Sequence, residues 1–353
     1  MLLRILLIAL LGVCSRLGLA CDLNHPSPVS GLLPGIAEAP PRQILLINNA
    51  ALAQPQAEGV LQLHRADNQA LLAELNAWPT ASSRISPVLA QPVFLDSNYD
   101  GIADAVYVVD IAGLVWYVPL TAAGFATPQL LADLSSMQGE FRQPLQVVQT
   151  MSVSGAGRSL HRALLLIISH PGGGDSLIML KHRLQNTSVL QPAELYQRTD
   201  LSIDELNNGI SQALWQQMQS GPGWYIRLSG QITVLPKVYG GVVYITAADT
   251  VAADCTVPAD AELSLYALHL HHGGAVYTWR RQSLRPLQGQ QVLIQATENG
   301  LELVIQSEQE QHTLLSELVQ VAEDCGSCIK PLDAAEFPKL KRLATYSVEQ
   351  EAH

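Results

Sequence analysis

From Gln43 to about Gln306 the chain is a succession of short apolar runs, most of them four to seven residues long, separated by turn-forming residues. Runs of that length are strands of a β-protein, because a helix of useful stability needs a longer 3.6-residue period. The first are Ile44–Asn48, Gly59–His64 and Leu71–Leu75; the last also suits one face of a helix. Pro92–Leu95, Ala105–Asp110 and Leu114–Val118 follow, then Gln146–Thr150 and Arg162–Ile168. Arg162–Ile168 is continuously apolar after its arginine, as in a strand buried on both faces. Pro171-Gly-Gly-Gly174 turns it into Ser176–Leu180. Trp224–Leu228, Ile232–Leu235, Val242–Thr246, Leu263–Leu268, Gln291–Gln295 and Leu301–Ile305 complete the set. Gly240-Gly241 and Asn299-Gly300 supply two hairpin turns. Groups of three or four such strands recur about five times at roughly 45 residues each, which is near the blade period of a propeller. The expected fold is therefore all-β: a partial or reduced β-propeller of about five blades over residues 44–321, with irregular N- and C-terminal extensions.

One helix is expected, over Ile203–Gln219. Leu206, Ile210, Leu214 and Met218 fall at i, i+4 spacing there, with Gly209 as a weakening residue. Residues 21–43 carry Pro26, Pro28, Pro34, Pro40 and Pro41 and read as a Pro-rich linker. Residues 322–353 read as a polar tail holding Cys325 and Cys328 and the basic cluster Lys339, Lys341 and Arg342.

Residues 1–20 have the form of a signal peptide: a basic start at Arg4, an apolar core over Ile5–Val13 and the small residues Gly18 and Ala20 before the cleavage point. The product is expected to be exported, to the periplasm, outer membrane or cell surface. Cleavage after Ala20 leaves Cys21 first. Lipidation of Cys21 is the only membrane attachment the sequence offers, and Gly18 stands where a lipoprotein signal usually carries Leu. The formal charge is −11, and −13 without Arg4 and Arg16. That balance argues against a nucleic-acid partner. Cys21, Cys255, Cys325 and Cys328 are disulfide candidates in an oxidising compartment, with three connectivities open.

The chemical signal stands out at residues 96–104. Asp96, Asn98, Asp100 and Asp104 occupy positions 1, 3, 5 and 9 of a window with Gly101 at position 6, and the carbonyl of Ile102 falls at position 7. Hard cations take six to eight oxygens, and a chain that alternates ligand and spacer around a sharp turn wraps one ion. Position 12 is Tyr107, not a bidentate Glu, and the flanks read as strands. The window is thus not an EF-hand but a shorter Ca²⁺ loop closing a β-hairpin.

Phe94–Trp116, with its Asp-rich loop, following strand, Asp110, turn and Leu114-Val-Trp116, resembles the C-terminal β-propeller of PilY-type type IV pilus tip proteins. A second stretch carries the same resemblance: Gly223-Trp224-Tyr225, Pro236-Lys-Val-Tyr-Gly240-Gly241, Cys255 and Leu265-Tyr266-Ala267-Leu268. The likeness spans roughly residues 85–280. It implies a non-catalytic calcium-binding protein of pilus assembly, extension–retraction control or adhesion, with minor pilins or pilus assembly proteins as partners. By position the calcium ligands fall on Asp96, Asn98, Asp100, Ile102 and Asp104. The family's long N-terminal region, with its von Willebrand A-like module, is missing, and Val109 replaces the Gly of the family's Gly-Asp pair.

An enzyme is the alternative: a periplasmic quinoprotein-like propeller oxidoreductase, which also uses Ca²⁺. Such enzymes gather calcium ligands from several blades, whereas here they are contiguous. No Gly-x-Ser-x-Gly elbow, His-Glu-x-x-His pair or phosphate-binding loop is present. His269 and His271 share one strand face, but the segment runs into Gly273-Gly274, so solvated hairpin histidines are expected there. Trp116, Trp224 and Trp279 are expected in the core between blades.

Overall fold

The structure is a computed structural model. It describes residues 23, 28–36, 39–154, 157–182, 188–201, 211–252, 255–289, 291–298, 300–307, 310–316 and 318. Within them the chain forms five predominantly antiparallel sheets that follow one another in chain order. The first contains Val29–Leu33 (β1), Arg42–Asn48 (β2), Leu61–Arg65 (β3) and Leu71–Leu75 (β4). The second contains Val93–Leu95 (β5), Ala105–Val109 (β6), Leu114–Thr121 (β7), Gly124–Phe125 (β8) and Gln129–Asp133 (β9). The third contains Gln146–Ser154 (β10), Gly157–Ser169 (β11), Asp175–His182 (β12), Tyr196–Gln197 (β13) and Gly223–Arg227 (β14). The fourth contains Gln231–Ile232 (β15), Lys237–Tyr239 (β16), Val242–Ala248 (β17), Leu263–His269 (β18) and Arg281–Leu284 (β19). Gln291–Thr297 (β20), Gly300–Gln306 (β21) and Gln311–Leu315 (β22) make the fifth.

Side-chain alternation along each strand explains how the sheets stack. On β6, Ala105, Tyr107 and Val109 enter the core shared with the third sheet, while Val106 and Val108 enter the core shared with the first. On β11, Leu164, Leu166 and Ile168 face the second sheet, and Ala163, Leu165 and Ile167 face the fourth. On β17, Val243, Ile245 and Ala247 face the third sheet, and Val242 and Tyr244 face the fifth. A strand apolar at every position is thus one covered by a neighbouring sheet on each side. Full burial of each such Leu, Ile or Val contributes about 1.5–3 kcal/mol. The first sheet lies at the end of the series, and β2 and β3 alternate instead: Ile44, Leu46, Leu61 and Leu63 are buried while Gln62 and His64 are not. Among the described residues no apolar cluster joins the fifth sheet back to the first. The architecture is all-β and propeller-like, with five blade-like sheets.

Polar side chains secure the passages from sheet to sheet. Asn49 Oδ1 accepts the amides of Val60 at 2.9 Å and Val88 at 2.8 Å. Asp175 Oδ2, in the third sheet, accepts the amide of Ile232 in the fourth at 2.7 Å. Each bond satisfies an amide that the ladders leave free.

One expectation is corrected. The stretch read as a Pro-rich linker contains β1, which pairs with β2 from Val29↔Leu46 to Leu33↔Arg42, so the first sheet begins well before residue 44. Its prolines flank the strand instead of interrupting it, where no ladder amide is required. Of the helix expected over Ile203–Gln219, the described residues show Gln212–Ser220 (α1); residues 202–210 lie outside the described set. Cys255 is an exposed thiol at φ 67°; its candidate disulfide partners Cys21, Cys325 and Cys328, the signal-like segment and the tail lie outside the described residues. Leu71–Leu75, equivocal between helix and strand, is a strand because it pairs with β3. Among the described residues no helix is long and apolar enough to cross a membrane.

Gly223 is the glycine the topology most requires. Its φ is 149°, and a Cβ there would lie 1.9 Å from the carbonyl oxygen of Met179 on β12, across the β12–β14 ladder. Gly223→Ala is expected to cost at least about 2 kcal/mol of stability, measured by urea unfolding, because the clash is with backbone and no rotamer relieves it.

Candidate functional site

The acidic window forms the loop that closes the β5–β6 hairpin. The ladder runs Val93↔Tyr107 to Leu95↔Ala105, and the Asp104 amide donates to the Leu95 carbonyl at 2.8 Å. The Ala103 amide donates to Leu32 on β1 at 2.8 Å, which ties the loop to the first sheet. Asp96 organises the turn. Its Oδ1 accepts the amides of Tyr99 at 2.6 Å and Asp100 at 3.2 Å, and its Oδ2 accepts that of Gly101 at 2.7 Å. Asn98 Oδ1 accepts the Asp100 amide at 3.1 Å, and Asp100 Oδ1 accepts the Ile102 amide at 2.8 Å. Asp104 Oδ2 accepts the Ser97 amide at 2.7 Å and the Ser97 hydroxyl. Tyr99 and Gly101 have φ of 62° and 82°, the reversal the spacing requires.

The donor set is three carboxylates, one amide oxygen and one backbone carbonyl, all hard oxygens of the class Ca²⁺ takes. Carboxylate oxygens carry more than one lone pair, so accepting a loop amide and ligating a cation are compatible. In the structure as it stands the carboxylates are turned to the loop's own amides. Among the described residues no three His, Cys, Asp or Glu side chains are gathered closely enough to hold a metal ion.

Asp110 is a turn anchor. It is fully buried; its Oδ1 accepts the amides of Gly113 and Leu114, each at 2.8 Å, and its Oδ2 that of Ser86 at 3.1 Å. Burial pushes its carboxyl above the ordinary carboxylate range, opposed by those amides.

The histidines at the end of β18 are not solvated as expected. His269 and His272 stack at 4.0 Å with 11° between planes, and Trp215 of α1 meets both edge-on at 5.5 and 5.6 Å. Covering by α1 was invisible in the His-Leu-His-His pattern because Trp215 is far away in sequence. Nδ1 of His269 accepts the His271 amide at 3.2 Å, and Nδ1 of His272 accepts that of Gly274 at 3.0 Å, which places both ring protons on Nε2. Burial pulls His269 down to about 4 and His272 down to about 3, the latter aided by His269, Arg198 and His271. The pair is a neutral packing element.

A concave surface of about 720 Å³ lies on the uncovered face of the first sheet, against Glu58, Gln62, His64, Glu74 and Asn76. Its floor is a polar ladder: Gln62 donates to Glu74 at 2.8 Å, Asn76 donates to Glu74 at 2.7 Å, and His64 Nε2 meets Gln62 Oε1 at 3.0 Å. A second polar group escaped sequence reasoning: Tyr107, Tyr117, Arg162 and His182, brought together between the second and third sheets. Its one sequence signal was an arginine directly ahead of the unbroken apolar run Ala163–Ile168.

No family model matches the chain, and no curated protein matches it. Among solved structures, the crystal structure of the Pseudomonas aeruginosa PilY1 C-terminal domain superposes with a TM-score of 0.55 at 15% identity, over 82% of this chain and 71% of that one. The sheet order and the loop-bearing second sheet described above thus belong to a fold similar to that of the PilY1 C-terminal domain.

Proposed function

We propose that this is an exported, non-catalytic, calcium-binding propeller-like protein of a type IV pilus system, acting with minor pilins or pilus assembly proteins in pilus assembly, extension–retraction control or adhesion. The observation that carries the reading is the Asp96–Asp104 loop, with oxygen donors in cation spacing, closing a hairpin of the second sheet in a fold similar to the PilY1 C-terminal domain.

Asp96, Asn98, Asp100, Asp104 and the Ile102 carbonyl would hold the ion. Bound Ca²⁺ supplies positive charge that offsets the repulsion of three carboxylates within nine residues. The loop's own contribution is shape. Asp96 holds three successive amides, which fixes the reversal between Asn98 and Gly101. The Ala103–Leu32 bond passes the loop's position to the first sheet, so a pinned loop steadies the first and second sheets together.

Isothermal calorimetry on the purified chain is expected to show one Ca²⁺ site that disappears in Asp100→Ala, while far-UV circular dichroism stays unchanged. Equal Ca²⁺ binding by the variant would sink the site. The pilus reading is tested separately in the native host: deletion of the coding region is expected to reduce surface pili, with restoration by the wild-type chain. Unchanged piliation, twitching and adherence in the deletion strain would overturn that reading and leave the calcium result standing.

A further inference from the structure

The turn after β18 gathers three histidines beneath α1. His269 ends the strand, and the chain folds back on it. The amides of His272 and Gly273 donate to the His269 carbonyl at 3.3 and 2.7 Å, and the His269 amide donates to the Gly274 carbonyl at 2.9 Å. Two of the imidazoles are built into this turn as acceptors. His269 Nδ1 takes the His271 amide at 3.2 Å, and His272 Nδ1 takes the Gly274 amide at 3.0 Å. Their rings lie face to face at 4.0 Å. α1 closes over them: Trp215 meets His269, His271 and His272 edge-on at 5.5, 6.2 and 5.6 Å. Three residues on, Met218 is buried at 2% exposure.

An imidazole accepts at Nδ1 only while it is neutral, because both nitrogens of the protonated ring donate. A proton on Nδ1 of either ring therefore sets two N–H groups against each other and breaks a bond that shapes the turn. It also places a cation 4.0 Å from the stacked neighbour. The charged groups around the pair are cations too. Arg198, just after β13, donates from Nε to the His272 carbonyl at 2.9 Å, and Arg280 donates to the Arg198 carbonyl. Lys181 on β12 donates to the Met218 carbonyl at the far end of α1, and His271 packs beside His269. α1 itself carries no charged residue. We infer that the His269–His272 stack is an acid-sensitive latch: neutral, it holds α1 against the β18 turn, and protonated, it releases α1 and opens the face of Trp215 and Met218 to solvent. Burial acts in the same sense, pulling His269 down to about 4 and His272 down to about 3 while the latch is closed. A ring freed by opening returns to its ordinary value near 6.5, so the open form binds more protons and gains as pH falls below that value. The latch involves none of the calcium-loop residues and stands whether or not that loop binds an ion.

Hydrogen exchange read by mass spectrometry on the full chain, corrected for the intrinsic pH dependence of exchange, measures the opening. Each ring that opening frees raises the opening constant roughly twentyfold between pH 7 and pH 5. Residues 212–220 are expected to lose protection by at least that factor, while Ala105–Val109 and Val242–Ala248 still exchange more slowly than α1 at pH 5. Glutamine keeps an acceptor oxygen and does not titrate, so His269→Gln and His272→Gln are each expected to remove about a twentyfold share of the response. If either variant leaves α1 unprotected at pH 7, the wild-type profile against the two strands decides the matter. Equal protection of α1 at pH 7 and pH 5 would overturn the inference. So would exchange of α1 only in step with both strands, which marks unfolding of the whole molecule, or an undiminished response in both variants.

Discussion

Trp224→Ala is expected to lower the unfolding free energy by roughly 4–6 kcal/mol. Trp224 is 1% exposed in the core between the third and fourth sheets, against Met179, Ile226, Val243, Leu268 and Leu270. Two losses combine. Truncating a buried tryptophan leaves a cavity that rigid ladders on both sides cannot collapse, which costs about 3–5 kcal/mol. Its Nε1 also donates to the Leu270 carbonyl at 2.8 Å, and removal leaves that buried acceptor unpaired at about 1 kcal/mol or more. The ring further supports the turn after β18, since Gly273 at φ 64° rests on it so closely that a Cβ would meet Cε3 at 2.9 Å. Trp224→Phe keeps most of the volume and loses the hydrogen bond, so it is expected to cost about 2 kcal/mol. Guanidinium unfolding of the three proteins checks the order. Trp224→Ala within 1 kcal/mol of wild type would show that the third and fourth sheets do not depend on this core.

Acid should loosen the same region. Unfolded histidine titrates near 6.5, whereas His182 and His269 take a proton only near pH 4 and His272 only near pH 3, in each case chiefly because of burial. Between those values the unfolded chain binds more protons than the native one, so stability falls as pH drops below 6.5. Each full shift corresponds to roughly 3 kcal/mol. Asp175 works in the opposite sense. Burial raises its carboxyl to about 6, against 3.8 ordinarily, so the native state protonates first and gains stability as pH falls through that window. Asp110, also raised by burial, acts with Asp175, and His170, lowered by burial, acts with the other histidines; four histidines outweigh two aspartates, and a net loss of stability is expected between pH 6.5 and 4. Urea midpoints measured across that range test it, and His269→Gln should flatten the slope by about one proton. A pH-independent midpoint would mean that these imidazoles are protonated as readily in the native state as in the unfolded chain.

The strands were legible in the sequence to different degrees. Ala105–Val109 and Val242–Ala248 announced themselves because burial on both faces demands an unbroken apolar run. β1 did not, because Val29-Ser-Gly-Leu-Leu33 is short, half-exposed and bracketed by prolines; only its pairing with β2 makes it a strand. Helix α1 was legible in type, because Leu214 and Met218 repeat at i, i+4 within it. In the candidate calcium loop the donors and the turn were both readable, because every ligand is local in the chain. The Arg162 cluster was not, because Tyr107, Tyr117, Arg162 and His182 come from four strands of two sheets and no spacing connects them.

The sequence by itself determined the all-β class, the propeller-like period of about five and the oxygen-rich loop at Asp96–Asp104, since strand length, turn chemistry and ligand order are local properties. Tertiary structure alone decided which histidines are buried, which polar side chains meet between the second and third sheets and which sheet faces stay uncovered. Those outcomes follow from the stacking of one sheet on the next, which brings together residues tens of positions apart and removes their water.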